Sequence, residues 1–374
     1  MFFTEYTKVL IMPHQRFDLL IVGPSADYTF GSLLRSLNIW YAVEKMVLIN
    51  TKYISIKSIS HVLIHIRSLV AADIVIISGV SPWVAAFITI LRRLLGKNTI
   101  VDIHGFAWYE ALASKCVRIT YRIILLISEL LAYRSATYVI VASRWLNKIL
   151  NKYLGINSAF VLQNTITPIF KRFVKELDQY DANLLRKFVC SKILGLKKYR
   201  GYIFVAPLPR VFISNMLALK ALLKLIDKIP RDVIVVVTGF EDKENHHEQL
   251  IYTGYLTYPR YTALLLSSDA IILPYPSNAI CGGVRNKVLE AGYCKKPIVS
   301  TRVGMMHIQA LPGVHYISID IMSEETVQQR EKWNLSALKL YEVIVQQYSF
   351  LEFKRSLFKF LKSILGRVRN GAKG

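Results

Sequence analysis

The sequence predicts an α/β protein built from two doubly wound domains, and three observations predict it. Its 374 residues suit two domains of ordinary size, each able to bury its own core. Short apolar, β-branched runs recur between helical stretches, the pattern of parallel strands covered on both faces. The runs fall into two series, and a polar, strand-poor segment separates them.

The first series is FDLLIVG (17–23), ADIVIISG (72–79), NTIVDIHG (98–105), ATYVIVAS (136–143) and SAFVLQN (158–164). Each closes on a polar or turn-forming residue, as buried strands do. Residues 74–91 form an uncharged run at the lower limit for a membrane span. Ser78, Gly79, Ser81 and Pro82 divide it into a strand, a turn and a helix, SPWVAAFITILRRLLG. The Lys- and Leu-rich segment 171–200 reads as a linker. The second series is GYIFVAP (201–207), DVIVVVTG (232–239), LIYTGYL (250–256), DAIILPYP (269–276) and KPIVSTRVG (296–304). Expected bounds are therefore 1–170 for the first domain, 201–347 for the second and 348–374 for a closing helix.

Composition narrows the function. With 53% hydrophobic and 20% charged residues, the chain is far from a disordered composition. Its 48 Lys and Arg against 25 Asp and Glu leave a net +23, which favours an anionic partner. No RRM, KH, helix-turn-helix or zinc pattern accompanies that charge, so nucleic acid is not expected. Four cysteines (Cys116, Cys190, Cys281, Cys294) lie scattered without a CxxC, which argues against a zinc site or a disulfide framework. The opening MFFTEYTKVLIMPHQRFD lacks a basic leader with an apolar core, so a cytoplasmic protein is expected. Three basic, apolar helices at 88–97, 115–134 and 353–369 point to peripheral contact with an anionic membrane surface.

Doubly wound domains bind ligands at the carboxyl ends of their strands. His104 ends a strand there and faces the cleft that two such domains would form, where imidazole can bond a sugar hydroxyl or a phosphate. The alternative is a strand-end histidine satisfied by backbone. In SNAICGGVRNKVLEAGY, Gly282 and Gly283 let the backbone approach a ligand, and the helix that follows offers free amides to a diphosphate. Arg285 and Lys287 place cations in its first turn, against the helix dipole. Glu290 lies two turns on, within reach of a ribose; the alternative is a plain Gly-Gly turn with Glu290 paired to Lys287. Gly23 and Ser25, after the first strand, offer backbone to a phosphate. His61 and His65 lack a third metal ligand, and no metal site is expected.

The order of these phrases along the chain resembles the nucleotide-sugar glycosyltransferases of GT-B fold, specifically the large retaining family 4. The phrases are NTIVDIHG, VIVASRWLNKILNKYLGI, VLQNTITPIF, IYTGYLTYPRYTALLLSSDAIILPYPS and GGVRNKVLEAGYCKKPIVSTRVG. The resemblance covers roughly residues 70–310, and YSFLEFKRSLFKFLK (348–362) is similar to the family's last helix, which crosses back to the first domain. It implies two Rossmann-like domains facing across a cleft, a nucleoside diphosphate sugar as donor, and no cofactor or metal. It also implies that Glu290 binds the donor's ribose, that His104 bonds the donor sugar, and that Gly239 and Tyr255 pack on the base. Gly282 stands where the family has a first glutamate, near the donor sugar. The family's Arg and Lys at the start of the second domain are absent, with Pro207 and Ser214 or Asn215 at those places. Arg210, three residues on, and Arg285 or Lys287 from the facing helix are the candidates to replace them. Losing one such contact costs about 3 kcal/mol of transition-state stabilisation.

The expected activity is transfer of a hexose to a lipid-linked or glycan acceptor, with His104, Arg210 and Arg285 as catalytic candidates. The remaining readings are a degenerate GT-B protein that binds nucleotide or lipid without turnover, and a basic α/β protein that binds a polyanion such as RNA.

Overall fold

The computed structural model describes residues 17–24, 31–44, 46, 49–115, 117–196, 199–210, 212–241, 247–321 and 329–371. In the first domain the order is β1 (Phe17–Gly23), α1 (Gly31–Val43), β2 (Ile49–Ser55), α2 (Ile59–Ile64), α3 (Ile66–Ala71), β3 (Ile74–Ser78) and α4 (Pro82–Leu94). It continues with β4 (Asn98–Ile103), α5 (Ala107–Ser114), α6 (Ile119–Ser135), β5 (Tyr138–Val141), α7 (Arg144–Leu154) and β6 (Phe160–Val161). All its strand pairs are parallel, in the order β2-β1-β3-β4-β5-β6. Alternate strand residues feed two cores: Leu20, Val22, Val75, Ile77, Val101 and Val141 face one layer, and Leu19, Ile21, Ile74, Ile76, Ile100 and Ile140 the other. That double burial is why the strands read as continuous apolar runs. The uncharged stretch 74–91 divides as its turn residues predict, into β3 and α4, with Gly79 at φ +73° between them.

The second domain holds β7 (Tyr202–Pro207), α10 (Ile213–Leu225), β8 (Val233–Thr238), β9 (Leu250–Gly254), α11 (Tyr258–Ser267), β10 (Ala270–Leu273), α12 (Asn286–Tyr293), β11 (Ile298–Ser300) and β12 (Ile317–Ser318). Its parallel sheet runs β12-β11-β10-β7-β8-β9, so the winding reverses between β7 and β10. Ligands bind in the crevice outside the strand ends at such a switch point. Two strands lie outside the runs read from sequence. β2 is an edge strand with exposed Asn50 and Lys52, and β12 is two residues long.

The stretch 171–200, expected as a linker, continues α8 (Pro168–Leu177) into α9 (Ala182–Phe188) and a π-helical turn (Val189–Ile193). Phe170, Val189, Cys190 and Leu194 are buried in the second domain's core, so this segment packs as part of that domain. α13 (Arg330–Gln347) packs on the same core through Trp333, Leu340 and Ile344. The chain then breaks at Tyr348, whose carbonyl accepts from Ile166 N–H at 3.2 Å and Thr165 Oγ at 2.8 Å where the chain first crosses between domains. α14 (Phe350–Gly371) returns to the first domain and buries Phe353, Leu357, Phe360, Leu361 and Ile364 against the first sheet.

That packing revises two of the three basic, apolar helices. Most of the apolar stripe of α14 packs on the first domain, leaving Leu351 and Phe358 exposed. Arg92 on α4 is fully buried and donates to the carbonyls of Leu69, Ala72, Asp73 and Asn98. Burial brings its pKa down to about 10, with Asp73 opposing. α6 differs: Ile119, Ile123, Ile127 and Leu131, each four residues from the last and so on one face, are all exposed. Among the described residues no helix is long and apolar enough to cross a membrane.

Candidate active site

The two domains meet over a cavity of about 300 Å³, the lower end of the range for small-molecule sites. His104, Gly239, Tyr255, Gly282, Gly283, Arg285, Lys287 and Glu290 all line it. Gly23 and Arg210 do not. Gly23 packs on Tyr53, whose hydroxyl lies 2.1 Å from where a Cβ would be. The Arg210 side chain is exposed, while its N–H donates to Gly239 O at 3.2 Å. Ser25 lies outside the described residues.

The floor of the cleft is α12 and the loop before it. No side chain caps α12 and its first turn has no acid, so its leading amides keep their positive field. Arg285 stacks on Tyr275, its guanidinium 3.7 Å from the ring centroid, and Nη2 donates to Ala279 O at 2.6 Å. The residue is 8% exposed, and its Nε–H has no acceptor. A buried charged donor without a partner costs free energy unless a ligand supplies one. Lys287 reaches across the switch point to Pro207 O, Asn215 Oδ1 (3.1 Å) and Tyr275 OH (2.6 Å). Its ammonium therefore sits at the end of β7, where Pro207 and Asn215 leave the sequence without a cation. Burial pushes the Lys287 pKa well down, and Arg285 adds to this while Glu290 opposes it.

Glu290, 7% exposed, accepts from Tyr258 OH at 2.7 Å and Tyr261 OH at 3.2 Å. Burial raises its pKa, against the pull of the two hydroxyls and Lys287. The sequence reading passed over both tyrosines. Their i,i+3 spacing in TYPRYTALL, at the start of a helix after a strand, was the available signal. Gly239 at φ +83° has no room for a side chain, since a Cβ there would lie 2.5 Å from Pro209 Cα.

The roof comes from the first domain. His104 Nε2 lies 2.7 Å from Asp102 Oδ2 and 3.1 Å from Ser78 Oγ, so the ring is held by side chains and not by backbone. Arg35 grips Asp102 through Nε (2.9 Å) and Nη2 (2.7 Å), and passes Nη1 to Asn164 Oδ1 at 2.8 Å. Burial opposes charge on Asp102, yet Arg35 and His104 hold its carboxyl well below the usual carboxylate range. Asn164 Nδ2 then donates across the cleft to Val284 O at 2.7 Å, and Ser143 Oγ to Gly282 O at 2.6 Å. The glycine pair permits this approach. A Cβ at Gly282 would lie 2.5 Å from Gly105 Cα, and one at Gly283 would lie 2.8 Å from Ala142 Cβ.

Glu110, in the first turn of α5, also lines the cavity. The backbone amides of Gly282 and Phe106, one from each domain, favour the ionised form of its carboxyl. Burial pushes its pKa up to about 7, with Arg285 pulling down and Glu129 pushing up. Glu129 of α6 is itself spent on capping α5, accepting from Ala107 N–H (2.8 Å), Trp108 N–H (2.9 Å) and Tyr133 OH (2.8 Å). Among the described residues no group of three or more His, Cys, Asp or Glu is placed to hold a metal ion.

Residues 202–326 match the family model described as "Glycosyl transferases group 1". The chain superposes on the Anabaena protein HepE, solved in complex with UDP-glucose, with a TM-score of 0.65 at 13% identity, covering 93% of this chain and 100% of that one. The chain has the GT-B fold, and its second domain is related to the group 1 glycosyl transferases. Two further GT-B likenesses are a sucrose-phosphate synthase from Thermosynechococcus elongatus (TM-score 0.68, 10% identity, 94% and 100% coverage) and the UDP-GlcNAc 2-epimerase of Neisseria meningitidis bound to UDP-GlcNAc (TM-score 0.55, 10% identity, 94% and 100% coverage). No curated protein sequence matches the chain. The GT-B cleft is thus the interdomain cavity, with the family-matched segment supplying its floor from Pro207 to Glu290.

Proposed function

We propose that the protein is a glycosyltransferase that moves a hexose from a nucleoside diphosphate sugar to a lipid-linked or glycan acceptor, with retention at the anomeric carbon. The observation that carries this reading is Arg285 Nε–H, a buried cationic donor without an acceptor, lining the cleft beside the uncapped start of α12. A diphosphate supplies the missing acceptor and is drawn to the helix amides. Lys287 adds its charge from the end of β7. Glu290, in the second turn of α12, takes the paired ribose hydroxyls, with Tyr258 and Tyr261 orienting it, and Gly239 and Tyr255 border the base. His104, fixed by Asp102, meets the sugar from the roof.

In the reaction the bond from the anomeric carbon to the β-phosphate oxygen breaks. The acceptor hydroxyl oxygen bonds that carbon on the same face, and its proton leaves with the phosphate. Cations at the phosphate stabilise the developing charge on the leaving group. The exposed stripe of α6, with Arg118 and Arg134 beside it and a net charge of +23, suits an anionic membrane on whose cytoplasmic face a lipid-linked acceptor is presented.

The test is thermal unfolding with UDP, GDP and ADP and their sugar adducts, followed by transfer of radiolabelled sugar to membrane extract. A nucleotide-dependent rise in unfolding temperature, lost in Arg285→Ala, is expected. Absence of any shift sinks the reading. A shift without transfer leaves a binding protein in place of an enzyme.

A further inference from the structure

Among the described residues that line the cleft, two carry carboxylates: Glu290 on the floor and Glu110 on the roof. Glu290 accepts from two tyrosines, whereas the Glu110 carboxyl lies against the backbone of Gly105. Its Oε1 folds back over Gly105, 2.4 Å from where a Cβ on that glycine would be, so only glycine leaves room for the carboxylate at this place. The carboxylate offers roughly four lone-pair directions to donors. The residue is partly exposed and borders the cavity, so it is open to whatever fills it. A phosphate would be repelled by this group and belongs near Arg285. An uncharged ring rich in hydroxyl donors is attracted to it.

Position 282 cannot itself carry an acid, because the backbone of His104 and Gly105 fills the space where its side chain would begin. Glu110 lines the same cavity from the opposite domain, and the Gly282 amide favours its ionised form. We propose that Glu110 binds hydroxyl groups of the sugar moiety of a nucleoside diphosphate sugar, and so is the residue by which this chain tells a sugar nucleotide from the bare nucleotide. The proposal rests on the reading of the cleft as a sugar-nucleotide site. The raised pKa of Glu110, about 7 through burial, fits a carboxylate short of donors that ligand hydroxyls would supply.

The experiment is calorimetric titration of the full chain, wild type, Glu110→Gln and Glu110→Asp, with UDP, GDP and ADP and with UDP-glucose, GDP-mannose and ADP-glucose. For the nucleotide that binds, both variants should hold the bare diphosphate within about twofold, while the sugar adduct weakens about tenfold to a hundredfold in Glu110→Gln. Glu110→Asp keeps the charge but withdraws it, and should fall between; if Glu110→Gln does not fold, judged by circular dichroism, this variant carries the test. Equal loss for nucleotide and adduct would make Glu110 a clamp on the 282 loop and overturn the proposal, as would no loss for either. Failure of every nucleotide to bind the wild type removes the reading of the cleft itself, and this proposal with it.

Discussion

A Cβ atom on Gly282 would lie 2.3 Å from the carbonyl oxygen of His104, backbone against backbone across the interdomain cleft. Neither partner is a flexible side chain, so any substituent at 282 must push the domains apart. The contact sits beside the Ser143 bond to Gly282 O and the Asn164 bond to Val284 O, which a separation would stretch. Restoring the acid that the resembling family carries, by Gly282→Glu, should therefore abolish sugar transfer and lower stability by about 1–3 kcal/mol. Chemical denaturation and a transfer assay check this. A Gly282→Glu protein that transfers sugar as well as the wild type would show that the closed contact is not the working one.

The cation at the end of β7 is the Lys287 ammonium, on Pro207 O, Asn215 Oδ1 and Tyr275 OH. Arg210 is exposed and outside the cavity lining. Replacing Lys287 by Ala should reduce kcat/KM by about a hundredfold or more, the usual scale for losing a preorganised charge beside a leaving group. Arg210→Ala should stay near wild type. Steady-state transfer rates separate the two, and the opposite order would return the role to Arg210.

The division between these two cations shows what the sequence could and could not carry. Strand positions were legible because double burial writes itself as apolar, β-branched runs, and ten strands were readable that way. β2 was not, since an edge strand with Asn50 and Lys52 exposed has no such run. Residues 171–200 read as a linker because their helices are amphipathic and mostly solvated, with few core positions such as Val189 and Cys190. The charged groups of the floor, Arg285, Lys287 and Glu290, lie within one contiguous phrase, GGVRNKVLE, and were visible for that reason. The roof is assembled from Arg35, Asp102, Glu110 and Asn164, spread over 129 positions, and only the tertiary structure brings them together. Charge counting also misread Arg92, which is spent on buried carbonyls.

Tyr258 holds the buried Glu290 carboxylate at 2.7 Å, and its hydroxyl is one of the groups that pulls the Glu290 pKa down against burial. Tyr258→Phe removes that pull, so the Glu290 pKa rises further and ionisation needs a higher pH. If the ionised form binds ribose, the acid limb of nucleotide affinity moves to higher pH in the variant, with the alkaline side unchanged. Titrations of nucleotide across pH 4 to 9 read this directly. A parallel loss at every pH would mean that the tyrosine packs on the nucleotide without tuning Glu290.

Burial raises the Glu129 pKa to about 7, against the bonds from Trp108, Tyr133 and Ala107. A carboxyl with a folded-state pKa above its unfolded value of about 4.3 binds more protons when folded, so its contribution to stability falls as pH rises through that window. Wild type should therefore lose unfolding temperature from pH 5 to pH 7.5 relative to Glu129→Gln, which carries no charge to desolvate. The gap between the two should narrow as pH rises. A constant gap would show that the cap works equally well in both protonation states.

Ile119, Ile123, Ile127 and Leu131 form an exposed stripe on α6, while its opposite face buries Leu125, Ser128, Glu129 and Ala132. With most of α14 packed on the first domain and Arg92 of α4 turned inward, this stripe is the longest exposed apolar face among the three basic helices. Ile123→Asp with Ile127→Asp changes only exposed positions, so stability should move by less than about 1 kcal/mol. Binding to vesicles of phosphatidylglycerol should fall at least about tenfold, as buried apolar area and attraction to anionic lipid act together. Cosedimentation at low and high salt measures both contributions, since the electrostatic part is screened beyond about 10 Å at 0.1 M salt. Transfer to a soluble acceptor should be unaffected by the double substitution. Unchanged vesicle binding would place the membrane contact elsewhere or remove it from the protein's function.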